Sequence, residues 1–180
     1  MTFTGYRLSR TIDCNVYGYS YVGDTSAVSE ALNFADFAGT LTGSIGGFAE
    51  VNLTGMTELT LAGAEDASIS NSAWNFDVAG RSDLVAGDAL LTWSDADFSA
   101  DSITLKLTDA VAVDAWTLIA GGAETAYNTG EGKFAVEIGD AVSALTFNAE
   151  TGMTDAISGG AYDGWGFALE DSVLKFKNLA

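Results

Sequence analysis

The feature that most constrains this chain is alternation. In short bursts along its length, apolar and polar residues take turns: Val51 and Leu53 flank Asn52, Leu59 and Leu61 flank Thr60, and Trp74, Phe76 and Val78 enclose Asn75 and Asp77. Ile103, Leu105 and Leu107 enclose Thr104 and Lys106, and the rule continues through Phe134, Val136 and Ile138, Leu145 with Phe147, Trp165 with Phe167 and Leu169, and Leu174 with Phe176. A strand turns successive side chains to opposite faces, so a period of two gives one buried and one wet face. Between the bursts, clusters such as Gly46-Gly47, Gly121-Gly122, Asn128-Thr129-Gly130 and Ser158-Gly159-Gly160 supply the backbone angles of tight corners. The chain reads as all-β. Ser26 to Phe37 also admits a helix capped by Ser26, but Phe34, Phe37 and Gly39 favour a strand entering a corner.

Spacing suggests how the strands are arranged. Tryptophans stand at 74, 93, 116 and 165, at intervals of 19, 23 and 49 residues, the last about twice 24. The text around three of them rhymes: Ala73-Trp74-Asn75-Phe76, Ala115-Trp116-Thr117-Leu118 and Gly164-Trp165-Gly166-Phe167. That interval is about one coil of a β-solenoid, whose rungs cannot bury their own apolar faces and must stack. The absence of Pro from 180 residues fits stacked rungs, because an uninterrupted ladder uses every amide donor.

The expectation is therefore one domain over 1–180, a mainly parallel β-solenoid of about four to six rungs. A change of character near Asn71 to Trp74 divides it into sub-regions 1–70 and 71–180. The alternative is an antiparallel β-sandwich holding four independent core tryptophans. The expected inward set is Leu41, Val51, Leu53, Leu59, Leu61, Trp74, Phe76, Trp93, Ile103, Leu105, Trp116, Leu118, Phe134, Val136, Phe147, Trp165, Phe167 and Phe176.

Charge and missing residue types narrow the function. Seven basic against 25 acidic residues leave a net charge of −18, which opposes nucleic acids and anionic membrane surfaces as partners. No stretch approaches the apolar run of a membrane span, so membrane insertion by this segment is not expected. No histidine occurs, which removes Ser-His and Cys-His nucleophile pairs and imidazole zinc sites. Cys14 is alone beside Asp13 and Asn15, with no cation to stabilise a thiolate, and reads as inert. The first residues hold no apolar run of signal-peptide length, which reads either as a cytosolic protein or as a piece of a longer secreted chain.

Three stretches carry a resemblance. Asn15-Val16-Tyr17-Gly18-Tyr19-Ser20 resembles a rung motif in the passenger regions of autotransporter-like bacterial surface proteins, with Tyr19 standing where that text has a second Gly. Leu32 to Leu41 followed by Gly47 to Leu53 is similar to the stretch that closes such β-helical arrays, and Tyr162 to Asp171 with Leu174-Lys175-Phe176-Lys177 looks like their terminal strands. The resemblance runs from about residue 15 to the end. It implies a right-handed parallel β-helix, the C-terminal part of an exported passenger. Such a segment would serve as a stalk, display or adhesion module at the bacterial cell surface or in the extracellular space, and it implies no catalytic residue.

Candidate sites are few. Asp95, Asp97 and Asp101 form a D-x-D-x3-D cluster that is a candidate for Ca²⁺, although Ala100 stands where an EF-hand loop needs Gly and Lys106 where it needs Glu. The plainer reading is a solvated turn. Gly159-Gly160-Ala161-Tyr162-Asp163 departs at Tyr162 from the calcium-binding nonapeptide and occurs once, so it reads as a turn. Gly130 to Ala135 matches a dinucleotide fingerprint in letters but precedes a strand, leaving no helix N-terminus for a pyrophosphate. Tyr17, Tyr19 and Tyr21 alternate on one strand face and are the candidate ligand-binding aromatics, for a host or bacterial surface glycan or protein. Their plainer role is an aromatic ladder at the N-terminal end of the core.

No cofactor other than calcium is suggested, and the chain is expected not to be an enzyme. The alternative is a carbohydrate-binding or polysaccharide-degrading β-helix that uses acids with Arg81 or Lys106. On the non-enzymatic expectation, the acids lie on turns and outward strand faces, and no concave pocket gathers two carboxylates, or a carboxylate and a base, with mutually displaced pKa values.

Overall fold

Strands with one apolar face must bury it against another layer, and here two large sheets share one hydrophobic core. The computed structural model describes residues 1–4, 10–12, 16–17, 28–42, 45–46, 48–55, 57–62, 72–79, 89–109 and 113–180. Among them the first strands are β1 (Thr2–Thr4), β2 (Arg10–Ile12), β3 (Val16–Tyr17), β4 (Val28–Ala35), β5 (Ala38–Leu41) and β6 (Ile45–Gly46). Next come β7 (Phe48–Thr54), β8 (Glu58–Leu61), β9 (Ala73–Asp77), β10 (Leu91–Trp93), β11 (Ser102–Leu107) and β12 (Ala115–Ala120). After a 3₁₀ turn at Glu124–Ala126 follow β13 (Phe134–Ile138), β14 (Ala141–Leu145), β15 (Phe147–Asn148), β16 (Met153–Thr154), β17 (Trp165–Glu170) and β18 (Val173–Asn178). The segment open to a helical reading is strand β4.

One sheet has the order β1-β4-β7-β9-β11-β13-β14 and the other β15-β16-β17-β18-β12-β10-β8-β5-β2, with β3 and β6 paired apart. From β7 to β13 the chain places successive strands alternately in the two large sheets. Every pairing from β1 through β13 in the first sheet, and from β2 through β12 in the second, is parallel. In both sheets a strand from before residue 63 pairs directly with one from after residue 71, through Glu50 opposite Ala73 and Leu59 opposite Leu91.

The alternation fixes the register, because a slip of one residue would turn every apolar side chain outward. Leu32, Val51, Trp74, Ile103, Phe134 and Leu145 stand opposite one another in a single inward row across the first sheet. Phe34, Leu53, Phe76, Leu105 and Val136 form the next. Leu59, Leu91, Ile119 and Leu174 make a row in the second sheet. All of these are buried, as is every residue of the expected inward set, in one hydrophobic cluster.

The tryptophans do not mark one rung each. Trp74 pairs with Val51 and Ile103 in the first sheet, while Trp93 lies in the second and meets Trp74 across the core at 5.9 Å. Trp116 pairs with Phe176 and Trp165 with Asn178, both in the antiparallel C-terminal part. The true register steps on the outer face are 19 residues from Asn33 to Asn52, 23 to Asn75, then 29 to Thr104 and 31 to Ala135. Strand and connection lengths both vary along the chain, so a fixed period in the sequence is blurred.

The C-terminal third changes hand-to-hand pairing from parallel to antiparallel. β14 folds back on β13 through Gly139, and β18 lays antiparallel on β12 and is covered in turn by β17. Aromatic side chains fill this end: Phe134 packs edge-on against Phe167 at 5.1 Å, stacks on Phe147 at 5.4 Å, and Phe176 meets Trp165 at 5.4 Å. Such pairs add roughly 0.5–1.5 kcal/mol each beyond burial. Two glycines are obligatory by space. A Cβ on Gly121, whose φ is +131°, would strike the Trp93 carbonyl, and one on Gly166 would meet the Thr154 hydroxyl at 2.7 Å and the Asp155 carbonyl at 2.8 Å.

Truncating Phe76→Ala in the middle of an inward row is expected to cost about 3–5 kcal/mol, whereas Val142→Ala, 63% exposed on the edge strand β14, should change stability by less than about 0.5 kcal/mol. Urea unfolding of the two variants measures both; equal losses would contradict the inward and outward assignment.

Candidate functional site

The outward positions of the first sheet carry the most organised polar chemistry on the described surface. Between the inward residues of β4, β7 and β9 stand Asn33, Asn52 and Asn75, opposite one another in register. Parallel strands at about 4.8 Å bring identical side chains within hydrogen-bond reach. Asn52 Nδ2 donates to Asn33 Oδ1 at 2.8 Å, and Asn75 Nδ2 donates to Asn52 Oδ1 at 2.7 Å. Asn33 Nδ2 in turn donates to Thr2 Oγ1 at 3.4 Å. A carboxamide has two N–H groups and two acceptor lone pairs, so each ladder member keeps capacity for an outside partner.

Beside this ladder runs a charged row, Thr54, Asp77, Lys106 and Glu137, again in register on adjacent strands. Lys106 Nζ lies 3.2 Å from a Glu137 carboxylate oxygen, and both side chains are partly exposed, so the pair is worth at most about 1 kcal/mol. Asp77 Oδ1 accepts the Ala79 N–H at 3.1 Å. The two rows, with Glu50 and Ala73, line a shallow depression of about 440 Å³. It brings three carboxylates and one ammonium onto one shallow face.

The three aspartates of the D-x-D-x3-D cluster have separate fates. Asp101 is buried; its Oδ1 accepts the Ser72 N–H at 2.9 Å and its Oδ2 accepts Trp74 Nε1–H at 3.1 Å. Ser72 Oγ donates onward to the Phe48 carbonyl at 2.6 Å, and Asn128 Nδ2 donates to the Asp101 carbonyl at 3.1 Å. These bonds tie the entrances of β7, β9, β11 and the segment before β13 into one buried polar column. Asp97 holds a turn: it accepts from Ser99 Oγ at 2.6 Å and Ser99 N at 3.0 Å, and the hydroxyl first and the amide second draw its carboxyl below the usual carboxylate range. Asp95 is exposed and accepts from Ser94 Oγ at 3.3 Å. Among the described residues, no group of three or more His, Cys, Asp or Glu side chains is placed to hold a metal ion.

Tyr17 lies in β3, its backbone opposite Gly46, and Tyr19, Tyr21, Cys14 and Arg81 lie outside the described residues. Asn33, Asn52 and Asn75 escaped the reading of the sequence as a site. Their signal was a repeated triplet, an Asn between two inward residues, in Leu32-Asn33-Phe34, Val51-Asn52-Leu53 and Trp74-Asn75-Phe76.

A second exposed charge cluster sits on the C-terminal hairpin. Glu170 receives Lys177 Nζ at 2.6 Å and Lys175 Nζ at 2.9 Å, and these two hydrogen bonds, Lys177 first, hold its carboxyl down to about 2. Compared with protein-family models, curated proteins and solved structures, the chain matches none of them. Among the described residues, no helix is long and apolar enough to cross a membrane.

Asp101→Ala would strand the Trp74 indole N–H and the Ser72 amide in the core, at about 1–3 kcal/mol for each unsatisfied group. Asp97→Ala, losing an exposed turn, should cost less than about 1 kcal/mol. Urea midpoints of the two variants decide between a core pin and a pair of equivalent surface acids. For Glu170, a lowered folded value means that its contribution is present above the ordinary carboxylate range and is lost as pH falls from about 4.5 toward about 2. Because the group is exposed, Glu170→Gln should cost less than about 1 kcal/mol at neutral pH and nothing near pH 2; a difference that persists in acid would exclude the ionic origin.

Proposed function

We propose that this chain is a right-handed parallel β-helix and works as a non-enzymatic surface module, for display, adhesion or spacing, within a larger secreted bacterial protein. The observation that carries this reading is the unbroken parallel register, β1 to β13 in one sheet and β2 to β12 in the other, ended by antiparallel strands only at the C-terminal side. Alternate strands joined by crossovers favour one hand, because a right-twisted strand returning to a parallel neighbour packs back only in the right-handed sense. Stacked rungs make length and periodic surface. The sequence resemblance to autotransporter-like passengers adds the extracellular setting, and the net charge of −18 keeps exposed strand edges of neighbouring copies apart.

The polysaccharide-degrading alternative draws on one observation, the acids Asp77 and Glu137 standing on either side of Lys106 in the depression. With no histidine in the chain, an acid-base pair there would have to be built from these groups.

Antibodies raised against the purified chain are expected to label intact cells of the source bacterium and to lose their epitope on mild protease treatment of those cells. Labelling only after lysis would reject the surface assignment. Incubating the chain with neutral and acidic polysaccharides, followed by reducing-end and unsaturated-uronate assays, should give no product; turnover abolished by Asp77→Asn or Glu137→Gln would establish the enzyme reading instead.

A further inference from the structure

The donors and acceptors of the sheet-face depression identify the kind of molecule that fits it. The carboxylates of Glu50, Asp77 and Glu137 are acceptors only at neutral pH, whereas the outward N–H groups of Asn52 and Asn75 and the Lys106 ammonium are donors. An amine ligand could use the acceptors but would leave the donors idle. A carboxylate or sulfate ligand could use the donors but would face three carboxylates, within a chain of net charge −18. A hydroxyl both donates and accepts, so a polyhydroxylated, uncharged molecule satisfies both sets at once.

Repetition points to a polymer. Asn33, Asn52 and Asn75 recur at the strand spacing of about 4.8 Å, as do Asp77, Lys106 and Glu137 in the neighbouring row. The ladder bonds hold the three amides in one orientation, so little side-chain freedom is lost when a ligand binds. We propose that this depression binds an extended, uncharged glycan chain running across the strands, with successive sugar rings meeting successive rungs. Single sites of this kind are shallow and weak, and affinity grows with the number of rungs engaged. The proposal rests on the surface-module reading only for the place where the glycan is met, and the purified chain tests it without that premise.

Isothermal titration calorimetry of the full 180-residue chain would use cellohexaose, laminarihexaose, mannohexaose and chitohexaose, with hexagalacturonate and spermine as charged probes. At least one neutral hexasaccharide should bind, more tightly than its disaccharide, and neither charged probe should compete. Ala73→Arg puts a bulky side chain into the depression while keeping all three ladder asparagines and should weaken binding about tenfold or more, as should Asn52→Ala with Asn75→Ala. Thr92→Arg, on the exposed face of the other sheet, should leave it unchanged. Thermal unfolding of Ala73→Arg confirms that its fold is kept, so the outcome does not depend on the ladder variant. No neutral binding at millimolar concentration, binding indifferent to Ala73→Arg, or binding of the charged probes alone would overturn the proposal. Binding accompanied by cleavage would uphold it and reject the non-enzymatic reading.

Discussion

Everything in this structure depends on the inward rows. Leu32, Val51, Trp74, Ile103, Phe134 and Leu145 form a continuous apolar column from six strands, the first five of them separated by long connections. No one strand could bury its own contribution, and the pairing of each with its neighbours removes backbone groups as well as side chains from water. The same column dictates what lies outside. Once Val51 and Leu53 point inward, Asn52 must point outward, and its neighbours in register must be the outward residues of β4 and β9. The amide ladder is thus the reverse side of the hydrophobic core.

The C-terminal strands answer the problem that such a stack creates. A parallel sheet ends in a row of unused N–H and C=O groups, and its last inward residues would face water. Here β14 folds back over β13, and β18 and β17 extend the other sheet, all antiparallel and joined by short turns. Large aromatic side chains, Phe134, Phe147, Trp165, Phe167 and Phe176, fill the core at this end. Tyr127, stacked on Phe98 at 5.6 Å, gives its hydroxyl proton to the Gly121 carbonyl, and burial pushes that hydroxyl well above its ordinary range.

The all-β class, the inward residues and β4 were legible because alternation is a local signal and strands of this kind share it whatever their partners. The tryptophan spacing misled, since Trp74 and Trp93 face each other from two sheets while the connections lengthen along the chain. The amide ladder was visible as a triplet but carried no meaning until the register aligned Asn33, Asn52 and Asn75. Charge alone could not show that Lys106 would stand between Asp77 and Glu137, because those three lie on β9, β11 and β13, separated by connections that propensity does not order.

The fate of the three aspartates makes the same point about chemistry. Asp95, Asp97 and Asp101 share a spacing that metal loops also use, yet a loop binds a cation only if its oxygens turn toward one centre. At Asp101 the chain re-enters strand geometry, where Ile103 must face the core, and the side chain two residues earlier is drawn inward with it. There the carboxylate finds an indole N–H and an amide, donors that compensate a buried carboxylate hydrogen bond by hydrogen bond. A carboxylate so occupied fixes the entrance of a strand. The outward face of the first sheet keeps the rest of the polar chemistry: Asn52, Asn75, Asp77 and Lys106 line one depression there, with hydrogen-bonding capacity left over by the amide ladder and the Lys106–Glu137 pair.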